Sequence, residues 1–474
     1  MIIDQNKLSP MMKRYFEIKS QYPDCLLFFR LGDFYEMFFD DAVTASRELD
    51  LTLTGRDCGL EERAPMCGVP HHAVDTYIRR LIEAGYRVAI CEQLSDPATT
   101  KGMVERDVVR VVTGGTVMEE DILDEKTSNY LLSVFTKDGA FGIAWTDIST
   151  GEFCVYEYAG DNYLDRLSDF IGSLSPAEVI SNEAFLSKYS KLGYFRTSEK
   201  KVHCYHEFAY APQTATKKIL HAFSVSTLAT FECEDKLCAV CAAGGLLEYL
   251  AQTQKRALGQ LTKITLVRDK SFMMLDSATR RNLELTSRAR DGKRQGSLLG
   301  VLDKTSTAMG ARTVRRYIEQ PLQDADMINK RLDAVDELTQ SKLLRERLKE
   351  AFDGVRDLER LNGRLAYGNA SPKDLISISD TLSAVPKIKA ALGEVKTPML
   401  KGINKALNSL EKVNAKLISA LDRGDNKDEK EAIGMRVIKK GYDMQLDQLR
   451  NIQATAKEWL LELEQREREE TGIR

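Results

Sequence analysis

Apolar and polar positions change rhythm along the chain, and each change marks a different kind of structure. Leu26 to Leu31 is a short, mostly apolar run of strand length. Phe38, Ala42, Ala45 and Leu49 follow at spacings of four, three and four, which makes one face of a helix. The segment Gly32-Asp33-Phe34-Tyr35-Glu36-Met37-Phe38 therefore falls where a strand is expected to give way to a helix. Leu51-Thr52-Leu53-Thr54 alternates as a strand before the turn at Gly55. Val74, Tyr77, Ile78 and Leu81 predict a second helix, stopped by Gly85. Arg87 to Cys91 and Val108 to Val112 predict further strands.

An acidic stretch, Met118 to Glu125, separates this first α/β region from the next. Tyr130 to Phe135, Phe141 to Ile148 and Phe153 to Tyr158 are strand-like runs divided by Asp138-Gly139 and Thr150-Gly151. That arrangement predicts a meander. Helical and strand-like segments alternate after it. From about Leu261 the periodicity becomes helical. Ser371-Pro372-Lys373-Asp374 reads as an N-cap, a proline in the first turn and an acid beside it. Leu446, Leu449, Ile452, Ala456, Trp459, Leu460 and Leu463 recur at helical spacing with no breaker from Tyr442 to Thr471. A single helix of roughly 40 Å is predicted there. Its last turns, Glu464 to Glu470, lose the apolar stripe and are expected to project from the body or to meet another element.

The expected fold class is multidomain α/β plus all-α. Its domains are placed at 1–116, at 129–255 after a linker at 117–128, and at 256–474. A chain of 474 residues is too long for one core, and about three domains fit its length. Hydrophobic residues at 43% and charged residues at 29% are those of a globular protein. No apolar run is long enough to span a bilayer, and Met1 to Lys7 lacks the layout of a signal peptide. A cytoplasmic location is the expectation. A net charge of -3 argues against an extended nucleic-acid coat, so a DNA reader with this balance must concentrate its positive charge locally.

Nine cysteines, an odd number, do not suggest a disulfide framework. His203, Cys204, His206, Cys233, Cys238 and Cys241 form a metal-like cluster in sequence, but Cys238 and Cys241 sit in an apolar helical run. Buried free thiols are the better reading, and no metal is expected. There is no phosphate-binding G-x-x-x-x-G-K motif, no H-E-x-x-H and no G-x-S-x-G, so no catalytic residue is assigned. His71-His72 follow Pro70 near a turn and read as turn residues or a helix entry. Asp147 in the meander would open an RNase H-like nuclease reading, but no partner carboxylates for two metals can be placed.

Several motifs occur in order along the chain: Gly32 to Phe38, Pro65-Met-Cys-Gly-Val-Pro-His-His-Ala73, Val88 to Gln93, Asp96-Pro97-Ala98 and Val104 to Thr116. Leu275 to Leu285, Ser297 to Thr305, Met309-Gly-Ala-Arg312 and Gly354 to Leu361 continue them. Together they closely resemble the MutS family of DNA mismatch-repair proteins. The resemblance runs from about Leu8 to Arg474 and is loosest between Asn129 and Gln254. It implies a mismatch-recognition domain, an RNase H-like connector and a helical core with a long lever helix. The chain stops at Gly472-Ile473-Arg474, near where the family's clamp begins. It is thus expected to be an N-terminal portion without the ATPase domain, and not itself an enzyme. ATP and Mg belong to the full-length family, and no cofactor is expected in this chain.

The resemblance also implies site residues. Phe34 would be a wedge at a mispaired base and Glu36 a contact to the base edge. Burial statistics alone would put Phe34 in a core. Glu36 would accept from a thymine N3–H. Against a purine N7, which has no proton, the carboxyl itself would have to carry one. Arg56, in the turn after Thr54, is a candidate phosphate contact, and Met66, Val69 and Pro70 are candidates to line the groove beside the wedge. Arg288, Arg290, Lys293 and Arg294 form a basic run that a solvated helix face explains equally well. The expected partners are duplex DNA with mismatches or small insertion/deletion loops, and the repair partner MutL at the connector. A homodimer is expected of the full-length form. An interaction scaffold for MutL and, last, a nuclease are the other readings.

Overall fold

A computed structural model describes residues 8–95, 104–189, 195, 201–256, 258–268, 272–423 and 437–472. The Asp96-Pro97-Ala98 motif, the first seven residues and 473–474 lie outside the described residues. The chain divides into two compact units, Met1–Leu332 with Asn362–Asn369, and Asp333–Leu361 with Ala370–Arg474.

The first unit is built on two six-stranded sheets. Helix α1 (Pro10–Gln21) leads into β1 (Cys25–Leu31), β2 (Phe34–Phe38) and α2 (Phe39–Leu49). Then come β3 (Thr54–Arg56), β4 (Ala64–Pro70), α3 (Val74–Glu83), β5 (Arg87–Gln93) and β6 (Arg106–Val112). The first sheet runs β3-β4-β2-β1-β5-β6, with only the β1–β5 pair parallel among its neighbours. Alternation along each strand divides its side chains between two cores. On one face Leu27, Phe29 and Phe38 pack under Met12, Tyr15 and Ile18 of α1. On the other Phe28, Tyr35, Met37 and Val69 pack under Ala42, Ala45 and Leu49 of α2 and Ile78 and Leu81 of α3.

Two expectations change here. Gly32 to Phe38 does not join a strand to a helix: Phe34–Phe38 is itself a strand, antiparallel to β1, and the helix begins at Phe39. Leu51 to Leu53 carries no ladder, because pairing with β4 starts only at Thr54↔Met66.

The second sheet comprises β7 (Leu131–Lys137), β8 (Ala140–Asp147), β9 (Glu152–Ala159), β10 (Glu178–Asn182), β11 (Val202–Tyr205) and β12 (Thr265–Leu266). Its order is β11-β10-β7-β8-β9-β12: an antiparallel meander, β10 and β11 added in parallel on one side, and β12 in parallel on the other. The β7–β8 turn is Asp138-Gly139, both with positive φ (50° and 77°), the geometry that a two-residue hairpin favours. Helices α4 (Tyr163–Leu174) and α5 (Glu183–Tyr189) cover one face. The other face meets α6 (Pro212–Ala222) and α7 (Leu237–Gln254). Gly142 on β8 lies so close to α7 that a Cβ there would fall 2.0 Å from the Cys238 carbonyl carbon, so only glycine fits.

Between the sheets lies a buried polar knot. Glu178, 1% exposed, accepts from Tyr249 Oη, from Gly115 N at 3.0 Å and from Thr113 Oγ1. Arg87 donates to Tyr249 Oη at 2.7 Å and covers its ring. Burial works against the Arg87 charge, but Tyr249 and Glu178 together hold its proton more firmly than in an ordinary arginine.

The second unit is helical as described. Ser371 and Asp374 form a reciprocal capping box at the start of the helix Pro372–Ala391. The predicted long helix spans Met444–Thr471, 28 residues. Its apolar stripe is not packed as its spacing suggested: Leu449, Ile452, Trp459 and Leu460 are each at least 56% exposed.

Candidate nucleic-acid interface

The β1–β2 hairpin turns through Gly32-Asp33, with Leu31 paired to Phe34. Gly32 has φ +59° at the first loop position, which a side chain would resist and a two-residue turn requires. Period-two alternation then decides what each residue of β2 does. Tyr35 and Met37 point into the core under α2. Phe34, Glu36 and Phe38 share the opposite face.

Along that face, cover fails progressively towards the turn. Phe38 is fully buried against the ring of Tyr15 on α1, at a centroid distance of 5.1 Å. Glu36 is 18% exposed. Phe34, beside the turn, is 46% exposed, so its ring stands in solvent at the tip of the sheet. The tip is nevertheless braced. His71 N donates to Asp33 O at 2.9 Å, tying the end of β4 to the hairpin loop. On the face behind Phe34, Tyr35 Oη donates to Glu92 on β5, and the Arg30 guanidinium lies 5.4 Å from the Tyr35 ring centre. Burial first, and then the Glu92 carboxylate, push the Tyr35 phenol well above its ordinary range, so it stays a donor.

Phe34 has Pro70 opposite it in register, Glu36 has Gly68, and Phe38 has Met66. Pro70 and Met66 thus share the face of the exposed ring. Val69 does not: it pairs with Tyr35, is fully buried, and packs into the α2 side of the sheet. Its part in a groove beside Phe34 is corrected by the pleat. Arg56 lies on β3 rather than in a turn, and its guanidinium is paired with the Glu36 carboxylate. The structure therefore brings Phe34, Glu36, Arg56, Met66 and Pro70 to one face.

The Tyr35–Glu92 brace and the Arg56–Glu36 pair join residues 57 and 20 positions apart, and nothing local in the sequence signals either. His71 and His72 sit in a 3-10 turn and are exposed, as their position after Pro70 suggests.

The other candidate chemistries resolve into structure. Asp147 is 1% exposed and accepts from Ser149 N at 3.0 Å, Ser149 Oγ at 2.6 Å and Asn129 N at 3.0 Å. Its oxygens are spent on closing a turn. Cys238 and Cys241 are buried on α7, and all nine cysteines are free thiols. Among the described residues no group of three or more His, Cys, Asp or Glu could hold a metal ion. The basic run at 288–294 is not a helix face. It forms turns in which Arg288 pairs with Asp291, while Arg294 pairs with Asp303.

Three family models match the chain: MutS domain I over residues 9–121, MutS domain II over 129–264 and MutS domain III over 278–470. Among curated relatives, the DNA mismatch repair protein MutS of Alkaliphilus metalliredigens (strain QYMF) is 44% identical over 474 residues, covering 98% of this chain and 53% of the relative. The protein of the same name from Desulforamulus reducens (strain ATCC BAA-1160 / DSM 100696 / MI-1) is 45% identical over 471 residues, covering 98% and 53%. That from Caldanaerobacter subterraneus subsp. tengcongensis is 43% identical over 467 residues, with the same coverage. The chain spans about half the length of the curated relatives it matches.

Proposed function

This chain belongs to the MutS family and carries its domains I, II and III, and on that premise we propose that it binds duplex DNA at mispaired or unpaired bases. Phe34 is the wedge and Glu36 the contact to a base edge. The observation that carries the reading is an aromatic ring left 46% exposed at a braced sheet tip, two residues from a carboxylate on the same face. An exposed ring held on a rigid strand is a poor use of a phenylalanine for folding and a good one for stacking.

The energetics fit such a sensor. Unstacking a base step costs a few kcal/mol, and ring–base stacking returns roughly 1–3. A mispaired step is already poorly stacked and bends easily, so insertion costs least there. The difference in deformation energy becomes the signal, whichever mismatch is present. Arg56, Met66 and Pro70 flank the insertion point. The second sheet's order, a meander with two parallel strands beside its first strand, supports an RNase H-like connector, and the helix Met444–Thr471 supports a lever.

A second reading is a scaffold that docks MutL through the connector. The exposed Phe208 ring, 54% exposed and stacked on His206 at 5.7 Å, favours it as a protein-contact feature. Fluorescence anisotropy with labelled G·T and matched duplexes separates the readings. The sensor binds G·T DNA several-fold more tightly than matched DNA. Equal binding to both contradicts it and leaves the scaffold. Adding magnesium to the same duplexes and finding cleavage would favour a nuclease over either.

A further inference from the structure

The face that carries Phe34 holds its only described carboxylate–guanidinium pair across a strand. Glu36 lies on β2 and Arg56 on β3, and β4 runs between them. The Arg56 guanidinium reaches over that strand to the Glu36 carboxylate. Gly68, the residue of β4 in register with Glu36, puts no side chain beside it. The carboxylate therefore meets DNA with its charge already matched by a partner. That partner is 38% exposed. A guanidinium has five N–H donors in a planar fork that suits a phosphate as well as a carboxylate.

We propose that the Glu36–Arg56 pair is a gate that sets specificity, an inference that rests on the reading of Phe34 and Glu36 above. On paired DNA the imino N–H of each base pair is engaged in Watson–Crick pairing, so the pair stays closed and the carboxylate stays masked from the phosphates. At a mispaired base an N–H that has lost its partner offers Glu36 a replacement donor. Arg56 is then released to a neighbouring phosphate. The exchange replaces one charge-assisted contact by two, and only mispairing exposes the imino donor that starts it. Arg56 is thus specificity-determining, and a phosphate contact only in the mismatch complex.

A double-mutant cycle tests the gate. The 474-residue chain, Arg56→Gln, Glu36→Gln and the double variant are titrated by anisotropy against matched and G·T duplexes at several salt concentrations. On matched DNA, Arg56→Gln unmasks the carboxylate and weakens binding about tenfold, and adding Glu36→Gln recovers most of that loss, as residues in direct contact do. On G·T DNA, Arg56→Gln lowers the salt slope by about 0.9, the value of one phosphate contact, while on matched DNA the double variant keeps the wild-type slope, because the loss in Arg56→Gln alone is the salt-screened repulsion of the bared carboxylate. Losses that simply add on matched DNA, or a double-variant slope that falls equally on both duplexes, overturn the gate and leave the Phe34 reading standing. A wild-type chain that does not separate G·T from matched DNA overturns the functional reading and the gate with it. Thermal melting of each variant reports whether it is folded. Should Arg56→Gln unfold, Arg56→Lys, which keeps the charge but loses the fork, enters the same cycle and must fail to open normally on G·T DNA.

Discussion

Phe34 and Phe141 are aromatic rings near the turns of the two sheets' hairpins. Phe34 is the first residue after Gly32-Asp33, and Phe141 is the second after Asp138-Gly139, where Ala140 pairs with Lys137. Phe141 is fully buried, packed near Tyr156 and Tyr158 in the core that α4 and α5 cover. Phe34 is 46% exposed, because α1 covers its face only as far as Phe38. The carboxylates differ in the same way. Glu178 is sealed between the sheets with three donors, whereas Glu36 has one partner, itself near solvent. Saturation marks the groups that hold the fold. An incomplete set of partners on a braced strand marks those left for a ligand.

The contrast can be broken first where it is strongest. Phe141→Ala removes a fully buried ring, and its cost is about 3–5 kcal/mol of stability by denaturant unfolding. A loss no larger than that of a surface change would remove the structural half of the comparison. Glu178→Ala strands the Tyr249, Thr113 and Gly115 donors and leaves partly buried Arg87 without its counter-charge. About 3–5 kcal/mol is expected, with new amide exchange at the junction between the sheets.

A smaller effect sharpens the same junction through pH. His203 Nε2 lies 3.8 Å from Glu178. Burial lowers the His203 pKa, and the attraction of Glu178 only partly offsets this. A histidine with a depressed folded-state pKa binds its proton more readily when unfolded, so its contribution is present above about pH 6.5 and is lost as pH falls below that value. Melting temperature should therefore drop between pH 7 and 5 by more in the wild type than in His203→Gln. Parallel curves would show that His203 does not titrate against the fold.

How much of this was legible in the sequence depends on the range of the interactions involved. The helix over Ala42, Ala45 and Leu49, the meander and the capping box at Ser371 rest on neighbours a few residues apart, and periodicity shows them. The strand at Phe34–Phe38 was hidden because Phe38 fits the helical spacing of Ala42 and Ala45 as well as it fits a strand end. Only pairing with Leu31 on one side and Pro70 on the other decides the matter. Val69 was misplaced for a related reason. A run such as Met66 to Pro70 does not say which face is covered until the helices are docked. The Arg56–Glu36 pair could not be read at all, since it depends on a three-strand register. The exposed stripe of the helix Met444–Thr471 shows the reverse limit: apolar spacing predicts a helix but not what it packs against.

The smallest expected change in stability belongs to the most consequential residue. Phe34→Ala removes an exposed ring and should alter unfolding free energy by no more than about 0.5 kcal/mol. The direct measurement is the ratio of G·T to matched-duplex affinity for Phe34→Ala beside the wild type, read by anisotropy at one salt concentration. A wild-type ratio of several-fold that collapses to about one in the folded variant, a loss within the roughly 1–3 kcal/mol of a base–ring stack, is the predicted result. A variant that keeps the wild-type ratio would contradict the assignment of the exposed ring as the mismatch sensor.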